Sequence, residues 1–492
     1  MTQRLPRSPG FWKNRSLFDR TVMAIALILV ILITVVLVRG NQSPLRVTHY
    51  SWRNSNIGAQ TKTLTMRFSH PVNPQEIEEN LTIDPPLAGT TSWQGRNWFY
   101  TLSEIPRYGT NYQLTLTLAA KNTAMGGADF NSLLTSRARA LVYIGLNDQE
   151  RGRLVLYDIT NPQKPQKIIL TPKDLTVRQF QIYPQGDRIV FTAADPTRRN
   201  AQQQLFTVTT GINHSNTDAK VLPGKLERLL ENQDYDNQRI TLAQNGNVMV
   251  LNRQNRQNPA DSGLWVFPKN ESPRPLGIQG DQFIVSPQGD RLAVSQDQGV
   301  AIIPLQAQAG ASQFLAGMGE ALAFSPAGDQ LLLTQQNLDY SHSLLQYDLA
   351  NQTSQEMIRG LYPILDCQFD PRTQGMAYCL RADYVQQEGG AVIEEPYLAL
   401  VDLNQQKSQP LLALPNYPEV DLSIAPDGLA LIFDQVATTN PLSPRDLLTQ
   451  SQKAITDGRV WLLSLPETLA IGEIADLSPQ ELTPGYAPQW MP

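Results

Sequence analysis

The residues of this chain that could carry out chemistry are few and widely spaced. It has four histidines: His49, His70, His214 and His342. No two of them have the spacing of paired metal ligands, so ordinary polar or turn positions are expected. Asp234 and Asp236, in the stretch ENQDYDNQ, could contact a calcium ion. Because Ca²⁺ takes about 6–8 oxygen ligands and this stretch offers few, we expect a solvated loop. The sequence therefore predicts no metal, no cofactor and no catalytic residue.

Motifs of the common enzyme classes do not occur in the sequence. It contains no G-x-S-x-G nucleophile turn, no phosphate-binding G-x-x-x-x-G-K loop and no dinucleotide-binding fingerprint. Catalytic groups gathered from distant parts of a chain would leave no linear motif. The observation therefore favours a non-enzyme without excluding an enzyme.

A repeated stretch organises most of the chain. Residues 283–294 read FIVSPQGDRLAV, and similar stretches begin at Phe180, Leu322, Cys367 and Leu422. Each has an apolar run with a period of two, then Pro and usually Gly, then a second apolar run. This pattern predicts a strand with one buried face, a tight turn, and a returning strand buried on both faces.

Two weaker copies of the repeat complete a set that could form a closed ring. Residues 240–251 have Gln244 in place of the proline, and Trp490 and Pro492 fit the end of another first strand. The copies are roughly 40 to 65 residues apart, and a four-stranded propeller blade needs roughly 40–45. We predict an all-β fold with a seven-bladed β-propeller, or six blades if the copy at Gln244 is misread. Residues 488–492 should pair with residues 141–143, which would close the ring and remove exposed sheet edges.

The two cysteines, Cys367 and Cys379, lie in one predicted hairpin. A disulfide is allowed outside the cytoplasm. If each residue four before the proline faces the residue seven after it, Cys367 faces Tyr378, and Cys379 points to the other face. This register favours two buried, unpaired cysteines, with a disulfide as the alternative.

The repeats resemble the TolB-like family of WD-type propeller repeats. The resemblance rests on SPQGDR at residues 286–291, SPAGDQ at 325–330 and APDG at 425–428, and it covers residues 140–492. It implies a propeller fold and says little about function, because propellers carry out many functions.

The N-terminus has the features of a membrane anchor. Residues 1–20 form a basic tail, and residues 21–38 contain no charge. Eighteen helical residues span about 27 Å, close to the ~30 Å hydrocarbon core. We predict one uncleaved transmembrane helix, with a cleaved signal peptide as the alternative. The basic tail would stay in the cytoplasm, which makes the bulk of the chain periplasmic.

The charge balance limits the possible partners. The chain carries a net charge of −5, of which residues 1–40 contribute +5, so the remainder carries −10. An acidic exported part disfavours nucleic acid, whose binding requires clustered cations. It equally disfavours adhesion to anionic lipid beyond the anchor.

Residues 43–127 form a second unit. Short alternating segments such as TLTMRF (63–68) are separated by turn residues, which predicts a small β-sandwich. The stretches MRFSHPVNPQEIEENLTIDPPLAG and YGTNYQLTLTLAAKNTAMGG resemble the bacterial Ig-like domain of S-layer and adhesion proteins. That resemblance implies a spacer or binding unit. Residues 128–139 are expected to be the linker to the propeller.

Three longer insertions interrupt the repeats, at residues 252–263, 382–396 and 438–458. The first is expected to be an exposed loop, and residues 444–455 could hold a short helix. Such segments are either tolerated surface insertions or functional loops on a rigid scaffold.

These features predict a membrane-anchored, extracytoplasmic binding or scaffold protein. An Ig-like stalk would lift a propeller that recognises a protein or a cell-envelope polymer. The alternative is a hydrolase or lyase that acts on glycan or peptide in the central funnel. A funnel lined by convergent carboxylates, histidines or a metal would favour the enzyme, and scattered neutral groups would exclude it.

Overall fold

The structure is a computed structural model of the chain. It describes residues 17–40, 45–53, 55–117, 129–195, 197, 202–212, 221–230, 234–306, 310–386, 390, 392–414, 419–441, 443, 446–468, 470–472 and 477–492, without the side chains of residues 17–20 and 36–40.

The N-terminal part of the described chain begins with a helix and continues into a β-sandwich. The helices are α1 (Leu17–Gly40) and α2 (Pro74–Glu79). The strands are β1 (Val47–Tyr50), β2 (Asn56–Ile57), β3 (Thr63–Phe68), β4 (Leu81–Asp84), β5 (Gly89–Gln94), β6 (Asn97–Leu102), β7 (Asn111–Leu116) and β8 (Phe130–Ser136).

Two four-stranded sheets form the sandwich, with strand orders β1-β3-β6-β5 and β2-β8-β7-β4. Their inner faces share one core, because alternate residues such as Leu64, Met66 and Phe68 in β3 are buried. Strand β8 pairs with β7 and β2, although it lies in the stretch expected to be a linker. The sandwich therefore extends to Ser136, and only a few residues separate it from the next strand.

Each remaining sheet is antiparallel, and all but one are built from strands that are consecutive in sequence. The strands are β9 (Ala140–Gly145), β10 (Leu154–Asp158), β11 (Gln166–Ile169), β12 (Thr176–Ile182), β13 (Arg188–Ala194), β14 (Gln204–Thr209), β15 (Leu226–Arg228), β16 (Tyr235–Leu242), β17 (Val248–Asn255), β18 (Gly263–Pro268), β19 (Arg274–Pro275), β20 (Phe283–Val285), β21 (Arg291–Gln296), β22 (Gly299–Pro304), β23 (Gln313–Ala316), β24 (Ala321–Phe324), β25 (Gln330–Gln336), β26 (His342–Asp348), β27 (Thr353–Gly360), β28 (Ile364–Phe369), β29 (Met376–Gln386), β30 (Val392–Asp402), β31 (Lys407–Ala413), β32 (Leu422–Ile424), β33 (Ala430–Thr439), β34 (Ala454–Ser464) and β35 (Gln480–Trp490).

These strands form a β-propeller. Within the described residues, β12–β31 make five four-stranded sheets in chain order, and β9–β11 join β32–β35 in a seven-stranded sheet. The first strand of each sheet, such as β12 or β16, lies at the centre of the ring. We call the side on which these first strands begin the mouth face, and the side on which they end in tight turns the turn face.

The register of the repeats follows the sequence prediction. In four copies, the residue four before the turn proline, or before Gln244, pairs with the residue seven after it: Phe180 with Phe191, Ile240 with Leu251, Phe283 with Val294, and Leu422 with Phe433. The turn glycine supplies the conformation that the reversal requires, as Gly289 does with a φ of +70°. The second strands are buried on both faces, as the continuous apolar runs indicated.

The seven-stranded sheet joins the two ends of the propeller. Strand β35 pairs with β34 through its first part, where Thr483 lies opposite Val460. Its second part pairs with β9, where Gln489 lies opposite Val142 and Trp490 opposite Leu141. The predicted pairing of the chain ends is therefore confirmed. The ring closes by β-sheet hydrogen bonds between residues that are far apart in sequence.

A disulfide joins Cys367 and Cys379, and this corrects the expectation of unpaired cysteines. The two residues lie directly opposite each other, and both are fully buried. The expected register was wrong because the turn in this copy is longer. Gly375 lies four residues after Pro371, whereas the other turn glycines follow two residues after the proline. The longer turn shifts the pairing by one residue and brings the two sulfur atoms to the same face.

The insertions are largely continuations of strands. The stretch expected to be an exposed loop, 252–263, begins as the end of β17, and Asn252 and Arg253 are buried there. A short 3-10 helix follows at Pro259–Asp261. Strands β29 and β30 likewise extend through 382–396 as a hairpin. The buried polar residues of β17 have partners, because the Asn252 side chain donates to Asp281 at 3.1 Å and the Arg253 guanidinium lies over the Tyr235 ring.

The described side chains of helix α1, residues 21–35, are exposed and mostly apolar. In the part of the chain that the structure describes, no helix reaches the length and apolarity that a membrane crossing requires. The anchor at residues 21–38 remains a prediction.

The sandwich packs against the turn face of the propeller. The backbone N–H of Tyr108 donates to Oδ2 of the buried Asp427 at 2.9 Å, and the Arg137 guanidinium donates to the Pro184 carbonyl at 3.3 Å. Both propeller residues lie in or beside the turns that end first strands. An exposed ion pair, Arg107 with Glu467 at 2.8 Å, lies at the same junction. The sandwich is therefore docked on the propeller and covers part of its turn face.

We predict that Asp427→Ala weakens this docking. The substitution leaves the Tyr108 N–H without its buried acceptor, which should cost about 1–3 kcal/mol. Calorimetry should show a lower unfolding temperature, and the sandwich should unfold in a transition separate from that of the propeller. Asp427→Asn, which keeps an acceptor oxygen, should be milder. The exposed pair gives the control, because Glu467→Ala should cost less than about 1 kcal/mol. Equal effects of the Asp427→Ala and Glu467→Ala substitutions would contradict the assignment.

Candidate functional site

A cavity of about 590 Å³ lies at the centre of the propeller. Its walls are the parts of the first strands that precede the turns, so it lies on the mouth side of the turn residues. Seven segments of the chain line these walls: residues 178–181, 239–241, 282–284, 320–322, 365–366, 419–422 and 486–489. A further segment, residues 448–451, contributes from an insertion. The ring thus brings together residues as far apart in the sequence as Arg178 and Gln489.

The lining contains charges of both signs, with an excess of acid. Five carboxyl groups and two guanidinium groups face it: Glu320, Asp366, Glu419, Asp421, Asp434, Arg178 and Arg239. None of the four histidines is among the lining residues of the described chain. The cavity is therefore an acidic chamber with two fixed cations, and it suits ligands with basic or hydrogen-bond-donating groups.

Asp434 is the most deeply buried of these carboxyl groups. Its two oxygens accept backbone N–H groups, from Asp421 at 2.7 Å and from Ala487 at 2.6 Å. These bonds tie β33 to the entry of β32 and to the bend in β35. Burial, together with the neighbouring Asp421, raises the pKa of Asp434 well above its usual range. Asp434 therefore has a structural role at the point where the ring closes.

Asp366, at the start of β28, combines burial with access to the cavity. Burial raises the pKa of its carboxyl group to about 6, and the carboxylates of Asp421 and Glu320 add to that effect. The Gln368 side chain donates to Asp366 Oδ2 at 3.3 Å and acts in the opposite direction. A carboxyl group with a pKa near 6 can exchange a proton close to neutral pH, which is the property required of a general acid or base.

Arg239, in β16, supplies a cation to the same chamber. Its guanidinium lies over the Phe283 ring, 5.8 Å from the centroid. Burial lowers the pKa of Arg239, and four carboxylates oppose that effect: Asp421, Glu320, Asp281 and Asp366. Among the residues that the structure describes, none forms an ion pair with Arg239 within 4.0 Å. The guanidinium therefore stays available to an anionic or carbonyl group of a ligand.

Residues 446–453, which we call the mouth segment, cover one side of the opening. Leu447 anchors it in the core, and the Arg178 guanidinium donates to the Asp446 carbonyl at 3.2 Å. Glu419 accepts a hydrogen bond from Ser451 and forms an ion pair with Lys453 at 3.7 Å. The helix considered for residues 444–455 is not formed in the described part, because turns and the start of β34 occupy it.

The residues singled out as possible metal ligands lie elsewhere. Asp234 accepts a hydrogen bond from Gln257, and Asp236 pairs with Arg256 at 3.6 Å beside β17. His214 lies outside the described residues. Across the described ranges, no group of three or more His, Cys, Asp or Glu side chains is arranged to hold a metal ion.

A signal for the cavity is nevertheless present in the sequence. When the copies are aligned on the turn proline, the fifth residue before it lies in the lining. That column contains Gln179, Arg239, Gln282, Ala321, Asp366, Asp421 and Ala487. Its polar members alternate with the buried apolar positions of each first strand, which identifies the side facing the channel.

Comparisons with known proteins give no family for this chain. No family model and no curated protein matches it. Similar solved structures include TolB from Acinetobacter baumannii, with 11% identity, a TM-score of 0.39, and coverage of 84% of this chain and 83% of that chain. An oligogalacturonate lyase in complex with manganese has 11% identity and a TM-score of 0.44, covering 86% and 97%. Prolyl oligopeptidase B from Galerina marginata has 9% identity and a TM-score of 0.44, covering 83% and 52%. At these scores and identities, the likeness assigns no function.

We predict that Asp366→Asn stabilises the protein at pH 8 and changes little at pH 4. The folded-state pKa of about 6 lies above the ordinary ~3.9, so the folded state binds a proton that the unfolded state has released. The stability from the protonated carboxyl is complete below about pH 4 and is lost as the pH rises through about 6. We expect the free energy of unfolding to rise by about 1 kcal/mol at pH 8. This is less than the full pKa shift would give, because water in the cavity screens the charge.

Denaturant unfolding at both pH values measures this effect, and Asp348→Asn is the control. The pKa of Asp348 is lowered because the Asn351 backbone and side chain donate to its carboxylate. Its stabilising contribution is present at pH 8 and is lost as the pH falls, so the control should lose stability at pH 8. If both substitutions changed the stability at pH 8 in the same direction, the assignment would be contradicted.

Proposed function

We propose that this chain is a binding protein of the bacterial cell envelope and that its central cavity recognises a protein or an envelope polymer. The cavity carries the proposal, because its carboxylates and guanidinium groups converge from around the ring. The acidic excess favours a ligand with amino groups or many hydroxyl donors, and Arg239 would receive a carbonyl or acidic group.

We propose further that the propeller has seven blades. Two observations support this number. Seven first-strand segments line the cavity, and β35 changes partner from β34 to β9 partway along its length. The seven-stranded sheet would thus count as one complete blade and a second blade shared between the chain ends.

The membrane arrangement is also a proposal. Residues 1–20 would be cytoplasmic, residues 21–38 would span the membrane, and a bacterial Ig-like unit would connect the anchor to the propeller. The sandwich lies on the turn face, so the mouth face would point away from the membrane. That orientation would present the cavity to partners in the periplasm.

A hydrolase or lyase is the second candidate, and the raised pKa of Asp366 favours it. Asp366 would act as the proton donor or acceptor on a glycan or peptide bound in the cavity. The pH dependence of such an activity would have a limb near pH 6, and Asp366→Asn would remove turnover while leaving binding.

The proposed function is tested by crosslinking the tagged, full-length protein in its own cells and identifying partners by mass spectrometry. The comparison uses Arg239→Gln and the double variant Asp366→Asn, Asp421→Asn, with Asp348→Asn as a matched control outside the cavity. We expect one reproducible partner, recovered at about tenfold lower yield with the cavity variants because each loses a charge-assisted contact.

Two results would count against binding in the cavity. The first is a partner kept by all cavity variants but lost on deletion of residues 43–127, which would transfer recognition to the sandwich. The second is conversion of purified envelope polymer to smaller products by the wild-type protein but not by Asp366→Asn, which would establish the enzyme instead.

A further inference from the structure

We propose that a second surface, on the mouth face beside the cavity, docks an extended protein segment with alternating apolar and basic side chains. The surface is a set of exposed apolar residues on two adjacent blades, which we call the rim band: Leu338, Tyr340, Leu361, Tyr384 and Val392. It is separate from the cavity lining and is proposed independently of the cavity's function.

The members of the rim band lie at the same end of two adjacent blades. Leu338 and Tyr340 form the tip between β25 and β26, and they are 104% and 79% exposed. Leu361, 67% exposed, follows directly after the last residue pair between β26 and β27, and so lies at the same end. The next residue, Tyr362, contacts the Tyr384 ring with a centroid distance of 6.1 Å.

The β29–β30 hairpin completes the band. Tyr384 lies opposite Glu394, and Gln386 opposite Val392, so Tyr384 and Val392 point to the same face of this ribbon. Val392 is 61% exposed. A soluble surface rarely exposes so many large apolar side chains at one end of the fold unless a partner covers them.

The backbone of Tyr340 supports a binding role. Its φ is +63°, in the left-handed region that favours glycine, and the side chain gains no burial in return. A non-glycine residue there costs about 1–2 kcal/mol. Glycine would serve the turn better, so the tyrosine ring is explained by contact with something outside this chain.

The hairpin also offers open strand edges. Strand β28 pairs with β29 only as far as Arg381, and β31 pairs with β30 only from Tyr397. Among the described residues, 383–386 and 392–395 therefore have no neighbouring strand on their outer sides. An added strand could take its backbone hydrogen bonds from such an edge and place alternate side chains against the rim band.

The local charges select a basic partner. Asp383, Glu394 and Glu395 lie on the open part of the hairpin. The nearby cations are already engaged, since Arg359 pairs with Asp339 at 2.8 Å and the Arg381 guanidinium lies over the Tyr397 ring. A second copy of this chain is disfavoured, because residues 41–492 carry −10.

The test uses two labelled nonapeptides, one alternating valine with lysine and one alternating valine with glutamate, in fluorescence anisotropy with the full-length protein. We expect the lysine peptide to bind and the glutamate peptide to bind at least about tenfold more weakly. Leu361→Ser and Tyr340→Gly should each weaken the lysine peptide by about fivefold. Tyr340→Gly should also fold at least as stably as wild type, which separates lost binding from lost structure.

Leu222→Ser is the matched control, because Leu222 is 66% exposed but lies on the turn face. It should change the affinity by less than about twofold. The proposal is overturned if neither peptide binds, if both bind equally, or if Leu222→Ser weakens binding as much as Leu361→Ser. Self-association lost in the Leu361→Ser and Tyr340→Gly variants would instead assign the band to a second copy.

Discussion

The pairing of β35 with β9 is the interaction on which the rest of this structure depends. Five sheets of the propeller are each antiparallel and consecutive in sequence, so nothing within any of these five sheets links one end of the chain to the other. The contact of Gln489 with Val142, and of Trp490 with Leu141, joins the two ends of the propeller by backbone hydrogen bonds. It also removes the two edges that an open arrangement would expose. Tyr143 of β9 and Trp490 of β35 also belong to one buried cluster, so the closure is packed as well as hydrogen-bonded.

Closure creates the cavity as well as the fold. First strands that start at the mouth face converge on one axis, so charged residues from distant blades face the same small volume. Burial then raises the pKa values of Asp366, Asp421 and Asp434, while Arg239 opposes the shift at Asp421. Clustered carboxyl groups with raised pKa values reduce stability at neutral pH. Carboxyl groups that lower the stability and yet are placed together in a central cavity are consistent with a ligand-binding site there.

Much of the fold could be predicted from the repeat, because period-two burial and the turn residues act within each hairpin. The same rule failed at Cys367 and Cys379, where a longer turn, marked in the sequence by the later Gly375, changed the register by one residue. The docking of the sandwich uses buried hydrogen bonds between distant residues, such as those of Tyr108 with Asp427 and of Arg137 with Pro184, for which a single sequence has no pattern.

The candidate site was less predictable than the fold. Arg239 and Asp366 occupy the same position in the aligned repeats. That position faces a cavity only when the ring is closed, so the sequence alone did not identify it as a site. The extended β29–β30 hairpin was visible only as an insertion, since strands that project beyond a core lose the apolar alternation that identifies them.

The most direct test of this account is a crosslink across the closure. Cysteines placed by Val142→Cys and Gln489→Cys lie opposite each other in β9 and β35. We predict an intramolecular disulfide between them under mild oxidation, identified by mass spectrometry of the digested protein, and a higher unfolding temperature for the whole propeller. Crosslinks only between molecules, or none while the variant remains folded, would show that the ring does not close through its chain ends.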